Sequence, residues 1–418
     1  MTASSSPELG LRWAPWWVLL FVALWPLTGP AELVLSLGAL AALAVLGFTR
    51  FRGGSALLSN EAWALTTVLF LSYWLPELFS SVDAVNGRRA LRESLLDLRY
   101  LPFLWLVAIA VATDRGRQRT FAGLGVITAF WLLDALVQAA TGWSLGGPAT
   151  ADRLSGVFGA ENLKLGLVLA SLAPFPLTAA ARRFGLAGWS LVAVALVLVV
   201  LLAGARASWL TLGLVLVISG WQQFSSKRAL AALALAAVVV FGASLALSDK
   251  LQQRVERTEA MLSGDGADLD HALSGRLPIW RTAWAMAMAH PVNGVGVRGF
   301  RDAYATYAAP DDPWLADEHR AGFHAHQIVL EVLSETGFVG LLLWLGGVAL
   351  ALRAWAVASP AARERARAPA LALLVTVFPL NTHLAFYSTF WGGLTLLLAA
   401  LYAGSLLAEP RAGASAAR

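Results

Sequence analysis

Apolar runs close to or longer than the ~17–25 residues a helix needs to cross a bilayer recur along almost the whole chain of 418 residues. Backbone groups in hydrocarbon have no water to bond, so such runs must close their hydrogen bonds internally, as helices. Hydropathy divides the chain into about twelve spans, at 14–28, 31–49, 61–80, 100–113, 120–140, 162–181, 186–204, 207–222, 228–247, 326–353, 368–381 and 383–408. The expected fold is an all-α polytopic membrane protein. Only 14% of residues are charged, against roughly a quarter in soluble domains. The fourth, eighth and eleventh spans are short enough to be tilted or partly re-entrant. The apolar stretch from Pro15 to Leu27 runs into the next span without an A-x-A-like cleavage site, so no cleavable leader is expected.

Charge sets the expected orientation. With the N-terminus inside, alternate connections collect Arg50 and Arg52, Arg115, Arg117 and Arg119, Arg182 and Arg183, Lys227 and Arg228, and Arg353, Arg363, Arg365 and Arg367. The inner side then carries a net charge of +11 and the outer side −6, the asymmetry of a chain whose basic short loops stay cytoplasmic. In a membrane protein this sidedness matters more than the net +5, which therefore does not point to nucleic acid. The expected layout is residues 1–247 as nine spans with an interfacial segment at 81–99, a large outer loop at 248–325, three spans at 326–408 and a disordered inner tail at 409–418. Five of the six histidines lie in the large loop or at its border, and the sixth, His383, lies in the outer turn before the last span.

Cysteine is absent, which excludes a thiol nucleophile, disulfides and Cys-ligated metals. Gly294, Gly296 and Gly299 spell G-x-G-x-x-G, but without a strand–turn–helix context they are turn glycines rather than a dinucleotide site. Asp268 and Asp270 sit in a Gly-rich acidic turn, and His324 and His326 lack a third ligand at a credible spacing, so no metal or other cofactor is expected. Asp134, inside an apolar span, is either functional or held by a structural hydrogen bond. Arg88 and Arg89 lie on the interfacial segment. The strongest signal is a set of outer arginines at membrane borders: Arg153, Arg206 and Arg276. A guanidinium fork matches phosphate bidentately, which suits an anionic headgroup or a pyrophosphate.

The stretch Phe323-His324-Ala325-His326-Gln327-Ile328-Val329-Leu330, continuing through Glu335, Gly337 and Gly340, resembles the H-N-x-x-L…E-x-G-x-x-G signature of the O-antigen ligase and polymerase superfamily. Here Gln327 replaces the usual Asn and keeps the amide. Gly275-Arg276-Leu277-Pro278-Ile279-Trp280, His290-Pro291-Val292-Asn293-Gly294-Val295-Gly296 and Phe300 are similar to the family's G-R…W…h-P-l-x-G-x-G…F stretch. Arg153 to Asn162 and Gly204-Ala205-Arg206 are similar to its two earlier blocks.

The resemblance implies a GT-C-like glycosyltransferase of the bacterial inner membrane, working on the periplasmic side. Its donor would be an undecaprenyl-pyrophosphate-linked glycan, its acceptor a sugar hydroxyl of lipid A-core, and membrane lipids its surroundings. It assigns His326 as the base that activates the acceptor, with inversion at the anomeric carbon. Arg206, Arg276 and Arg153 would bind the departing pyrophosphate, and His324 would be a neighbour able to exchange roles with His326. A polymerase or protein O-oligosaccharyltransferase shares the motifs, and an anion or lipid transporter is the reading of a different class.

Overall fold

In the computed structural model, residues 12–53, 56–149, 153–160, 162, 164–224, 275–315, 324–382 and 385–408 are described. The expected ninth span at 228–247, the start of the large loop, Asp268 and Asp270, His383 and the tail at 409–418 lie outside the described residues.

The protein is a bundle of helices in which the one sheet among the described residues is a two-residue hairpin, β1 (Trp143–Ser144) and β2 (Gly147–Pro148). In chain order the helices are α1 (Ala14–Ala23), α2 (Thr28–Phe51), α3 (Asn60–Ser80), α4 (Gly87–Asp97), α5 (Tyr100–Ala112), α6 (Asp114–Thr141), α7 (Leu165–Leu172), α8 (Pro174–Leu202) and α9 (Arg206–Gln223). Within the large loop lie α10 (Arg276–Ala289) and α11 (Phe300–Tyr307), and after it come α12 (Ile328–Val357), α13 (Pro360–Thr376) and α14 (Thr389–Leu406). Seven helical stretches among the described residues are long and apolar enough to cross a membrane, one of them running from Gly87 to Ala112 through α4 and α5, and α1 is apolar but shorter. The chain is thus a multi-pass membrane protein.

Two glycines change how the expected spans map onto helices. Gly185 has φ +61° and ψ −145° inside α8, so that element is two helices meeting at a kink. The first half continues the expected sixth span and the second half is the seventh. Gly337 has φ +66° and ψ −170° inside α12, a conformation open almost only to glycine. It separates a short buried helix, carrying Glu331 and Glu335, from the long apolar helix that follows. The helix that overlaps the expected eleventh span, α13, begins earlier than that span, because Ser359 caps it by accepting the Ala362 N–H, with Pro360 following at the first helical position.

The ends of the bundle differ in chemistry. At one end, arginines cap helix C-termini, where the last carbonyls lack intrahelical partners and carry partial negative charge. Arg117 donates to Val111 O of α5 (3.2 Å), Arg363 to Trp355 O of α12 (2.9 Å), Arg367 to Gln222 O of α9 (3.4 Å) and Arg365 to Ala408 O beyond α14 (3.1 Å). Ser59 Oγ donates to Leu407 O (2.9 Å), so the start of α3 reaches the same end. The sequence expectation groups these arginines on one side, and their contacts do so as well.

The other end is built around α12 before its kink. The loop after α10 lies along the kink in a backbone ladder: Val295 N–H donates to Ser334 O (2.9 Å), Gly296 N–H to Glu335 O (3.0 Å), Phe338 N–H to Pro291 O (2.8 Å) and Val339 N–H to Val292 O (3.2 Å). The backbones approach so closely that a Cβ on Gly337 would sit 2.3 Å from Val292 O, and one on Gly294 would sit 2.3 Å from the Glu335 carbonyl carbon. Gly294 and Gly296 both have positive φ, which agrees with their reading as turn glycines. Gly337→Ala should cost about 1–3 kcal/mol in backbone strain alone, and more from the overlap. The expected outcome is a large loss of folded, detergent-extractable protein by fluorescence-detected gel filtration, whereas Gly346→Ala, with open space at its Cβ position, should behave as wild type.

Candidate active site

The histidine pair sits where the large loop enters α12. Gln327 is the N-cap of that helix, its side-chain oxygen accepting the Leu330 N–H at 2.6 Å. This gives the amide at that position a physical role, since an orphan donor of the first turn needs a side-chain acceptor. His326, one residue earlier, has φ +52°, rare for a residue with a side chain. The turn folds His326 back so that its ring centroid lies 3.9 Å from that of His324.

His324 is held from two sides. Its Nδ1 lies 3.2 Å from Glu331 Oε2 and 3.2 Å from the His326 amide N. Nδ1 either donates to the carboxylate or accepts from the amide, not both, so one proton position governs the group. Glu331 Oε1 also accepts the Tyr387 N–H (3.3 Å), tying the pair to the segment before α14. Burial, and then the positive charge of Arg276, push His324 down from 6.5 to about 4, keeping the imidazole neutral at physiological pH.

Arg276 opens α10, and its Nη1 donates to Thr382 Oγ1 at 2.9 Å. Burial and the nearby Arg206 lower its pKa, so the two guanidinium groups are close enough to repel, a repulsion that a bound anion would relieve. Arg206 is the first residue of α9. Arg153 is brought beside the same turn by the Leu154 N–H, which donates to Leu202 O (3.3 Å). Gln138 holds this approach from α6: its Oε1 accepts the N–H groups of Ser155 (3.0 Å) and Gly156 (2.8 Å), and its amide reaches Ser144 Oγ (3.1 Å). The structure therefore places Arg206, Arg276 and His324 near one another, with the His326 ring packed at a tilt against His324 and Arg153 next to the Arg206 turn.

The remaining sequence candidates have other partners. Asp134 is buried and accepts the Leu145 N–H (2.9 Å), which makes it an anchor for the β1–β2 hairpin. Arg89 pairs with Asp302 of α11 (3.5 Å), docking α4 on the large loop, and Arg88 is exposed beside it.

Arg298 carries no signal in the family blocks, yet it joins much of this end. Its Nη1 lies 3.1 Å from Glu93 Oε2, its Nε donates to Tyr387 O (3.1 Å) and its Nη2 to Thr389 Oγ1 (2.6 Å). Burial opposes its charge, but the carboxylates of Glu93, Asp97 and Glu77 outweigh that and hold the guanidinium above its usual pKa. The carboxylate of Glu335 collects the N–H groups of Arg298 (3.1 Å) and Phe300 (3.4 Å). The available hint was a non-glycine residue at φ > 0 between two turn glycines, which sequence alone does not display. Beside Arg298 a cavity of about 610 Å³ is lined by Trp25, Phe390, Trp391, Lys164, Glu93 and Asp97 among others.

With this geometry in place, the comparison with known proteins becomes specific. Residues 191–345 match a family model described as O-antigen ligase. Over that stretch the chain is similar to the O-antigen ligase family. The match runs from the second half of α8 past the kink of α12 and so contains Arg206, Arg276, Arg298, His324, His326, Glu331 and Glu335, while Arg153 lies upstream of it. The chain is also 33% identical over 96 residues to "Exopolysaccharide production protein ExoQ" of Rhizobium meliloti (strain 1021), a match covering 20% of this chain and 21% of that protein. The chain thus spans about a fifth of that relative's length. Both matches fall in the O-antigen ligase/polymerase superfamily.

The protonation of His324 has a measurable consequence. Between pH 6.5 and about 4 the unfolded chain binds a proton at this histidine that the folded chain refuses. Stability contributed here is therefore lost as pH falls through that window, on the order of 2 kcal/mol. The thermal midpoint of the detergent-purified protein should drop on acidification from pH 7 to 4.5, and less steeply in His324→Gln.

Proposed function

We propose that the protein is an O-antigen ligase, which transfers a glycan from undecaprenyl pyrophosphate to a sugar hydroxyl of lipid A-core, on the periplasmic side of the bacterial inner membrane. The observation that carries this reading is the neighbouring pair Arg206 and Arg276 beside a neutral histidine, His324, whose ring packs against that of His326. A hydroxyl attacking an anomeric carbon needs a base of near-neutral pKa, and the departing pyrophosphate needs fixed positive charge. His326 takes the acceptor proton as the hydroxyl oxygen bonds to the anomeric carbon. The bond from that carbon to the pyrophosphate breaks, and inversion follows from the single displacement. Arg206 and Arg276, with Arg153 alongside, take the charge that accumulates on the leaving oxygens. His324, seated on Glu331, positions His326. The cavity with aromatic faces and charged groups beside Arg298 suits a sugar, whose apolar ring faces and hydroxyls ask for such a lining.

The charge stabilisation that a divalent ion would supply comes from the guanidinium forks in this scheme, so transfer in a purified system with a solubilised acceptor should continue in EDTA. His326→Ala should lower transfer by about 10²–10⁴-fold at unchanged protein level. Arg206→Lys and Arg276→Lys keep the charge but lose the bidentate fork and should each impair transfer severely. Wild-type rates in His326→Ala would remove that residue from the chemistry, and wild-type rates in both Lys variants would leave only a generic charge.

The name of the matched relative, exopolysaccharide production, favours a second reading in which the same donor chemistry serves a growing glycan as acceptor. Lipopolysaccharide electrophoresis of a deletion strain separates the two. Loss of a ligase leaves bare core, whereas loss of a polymerase leaves core bearing one repeat.

A further inference from the structure

The arginine end of the bundle holds a cavity that the chemistry above does not use. It has a volume of about 670 Å³, and Arg117, Arg182, Arg183, Arg365 and Arg367 all line it. Two carboxylates share the lining. Glu364 pairs with Arg182 (3.4 Å) and with Arg367, and Asp114 pairs with Arg117. Three positive charges of the lining thus exceed its acids. Phe121, Phe175 and Ala368 give the same cavity an apolar wall.

A second cavity of about 300 Å³ adjoins the first through Arg367, which lines both. Its lining is almost wholly apolar and comes from α3, α9, α12, α13 and α14. It runs from Arg367, Trp355 and Tyr402 at the arginine end to Tyr73 and Phe386 toward the other. A cluster of guanidinium groups opening into a hydrocarbon-lined slot is an amphipathic site. The forks match phosphate oxygens, the slot matches a chain of CH₂ groups, and basic pockets between membrane helices are a recognised way to hold anionic headgroups.

We propose that the paired cavities bind an anionic phospholipid from the leaflet at the arginine end, its phosphate held by Arg182, Arg183 and Arg367 and an acyl chain in the slot. Free inorganic phosphate shares the headgroup chemistry but makes no use of the slot. Arg182 and Arg183 are exposed, so their replacement should leave the fold intact, while Arg117, buried and bonded to the end of α5, is the wrong residue to test.

The test is native mass spectrometry of the full chain, purified in detergent and titrated separately with dioleoyl phosphatidylglycerol and dioleoyl phosphatidylcholine. Phosphatidylglycerol should bind about tenfold or more tightly than phosphatidylcholine, a tenfold ratio being about 1.4 kcal/mol. The double variant Arg182→Gln/Arg183→Gln should abolish that preference. Ala370→Phe, which fills the slot from α13 and leaves every arginine in place, should weaken phosphatidylglycerol and decides the matter if the double variant proves unstable. Equal binding of the two lipids by wild type would overturn the proposal, as would unchanged phosphatidylglycerol binding in Ala370→Phe. Displacement of phosphatidylglycerol by millimolar inorganic phosphate would show a headgroup-only anion site and overturn the lipid assignment.

Discussion

Where α12 breaks at Gly337, its freed backbone groups bond to the loop after α10, and the carboxylate of Glu335 collects two more N–H groups from the same loop. A helix entering a membrane ordinarily keeps its hydrogen bonds to itself, because hydrocarbon offers no other partner. Here the break is tolerated because a second strand of backbone lies against it, close enough that neither Gly294 nor Gly337 has room for a Cβ. That clamp fixes the loop to the membrane domain. Through Arg298 it reaches Tyr387 and Thr389 before and at the start of α14. Through Ser80 and Val85, which bond Val297 and Val295, it reaches the end of α3 and the approach to α4.

The site follows from the clamp. The short helix ahead of Gly337 presents Glu331 to His324, and Gln327 ends the loop by capping that helix. Arg276 arrives on α10, which packs against α12. Arg206 arrives on a different element, at the turn between α8 and α9. The cations are thus contributed by separate parts of the chain and share a site only because the loop is seated. A loop that docks only at its ends would leave Arg276 free to move away from Arg206, and their mutual repulsion would favour that.

Much of this was legible in the sequence, for physical reasons. Spans are visible because hydrocarbon admits only long apolar helices, and the arginine end was visible because basic loops stay together on one side. Arg206, Arg276, His324 and His326 stood out as charged or titratable groups at membrane borders within recognisable blocks. The kinks at Gly185 and Gly337 were not visible, since a glycine inside an apolar run reads equally well as a packing glycine. Arg298 was missed because its importance lies in a backbone conformation and in partners from three distant segments. Glu331 carries no signal of its own in the sequence, because only the turn at His326 brings His324 onto it. Asp134 offered two readings from sequence, and its bond to the Leu145 amide supplies the structural one.

The central claim is that the ladder and the Glu335 carboxylate hold the loop on the kinked helix as one cooperative unit. Amide hydrogen exchange, read by mass spectrometry on the detergent-purified protein, tests it most directly, because contiguous units open together. The amides of Val295, Gly296, Arg298 and Phe338 should be protected to a common extent in the wild type. In Glu335→Ala they should lose protection together, while those of α14 keep theirs. Rapid wild-type exchange at Val295 to Arg298 beside a protected α12 would contradict it.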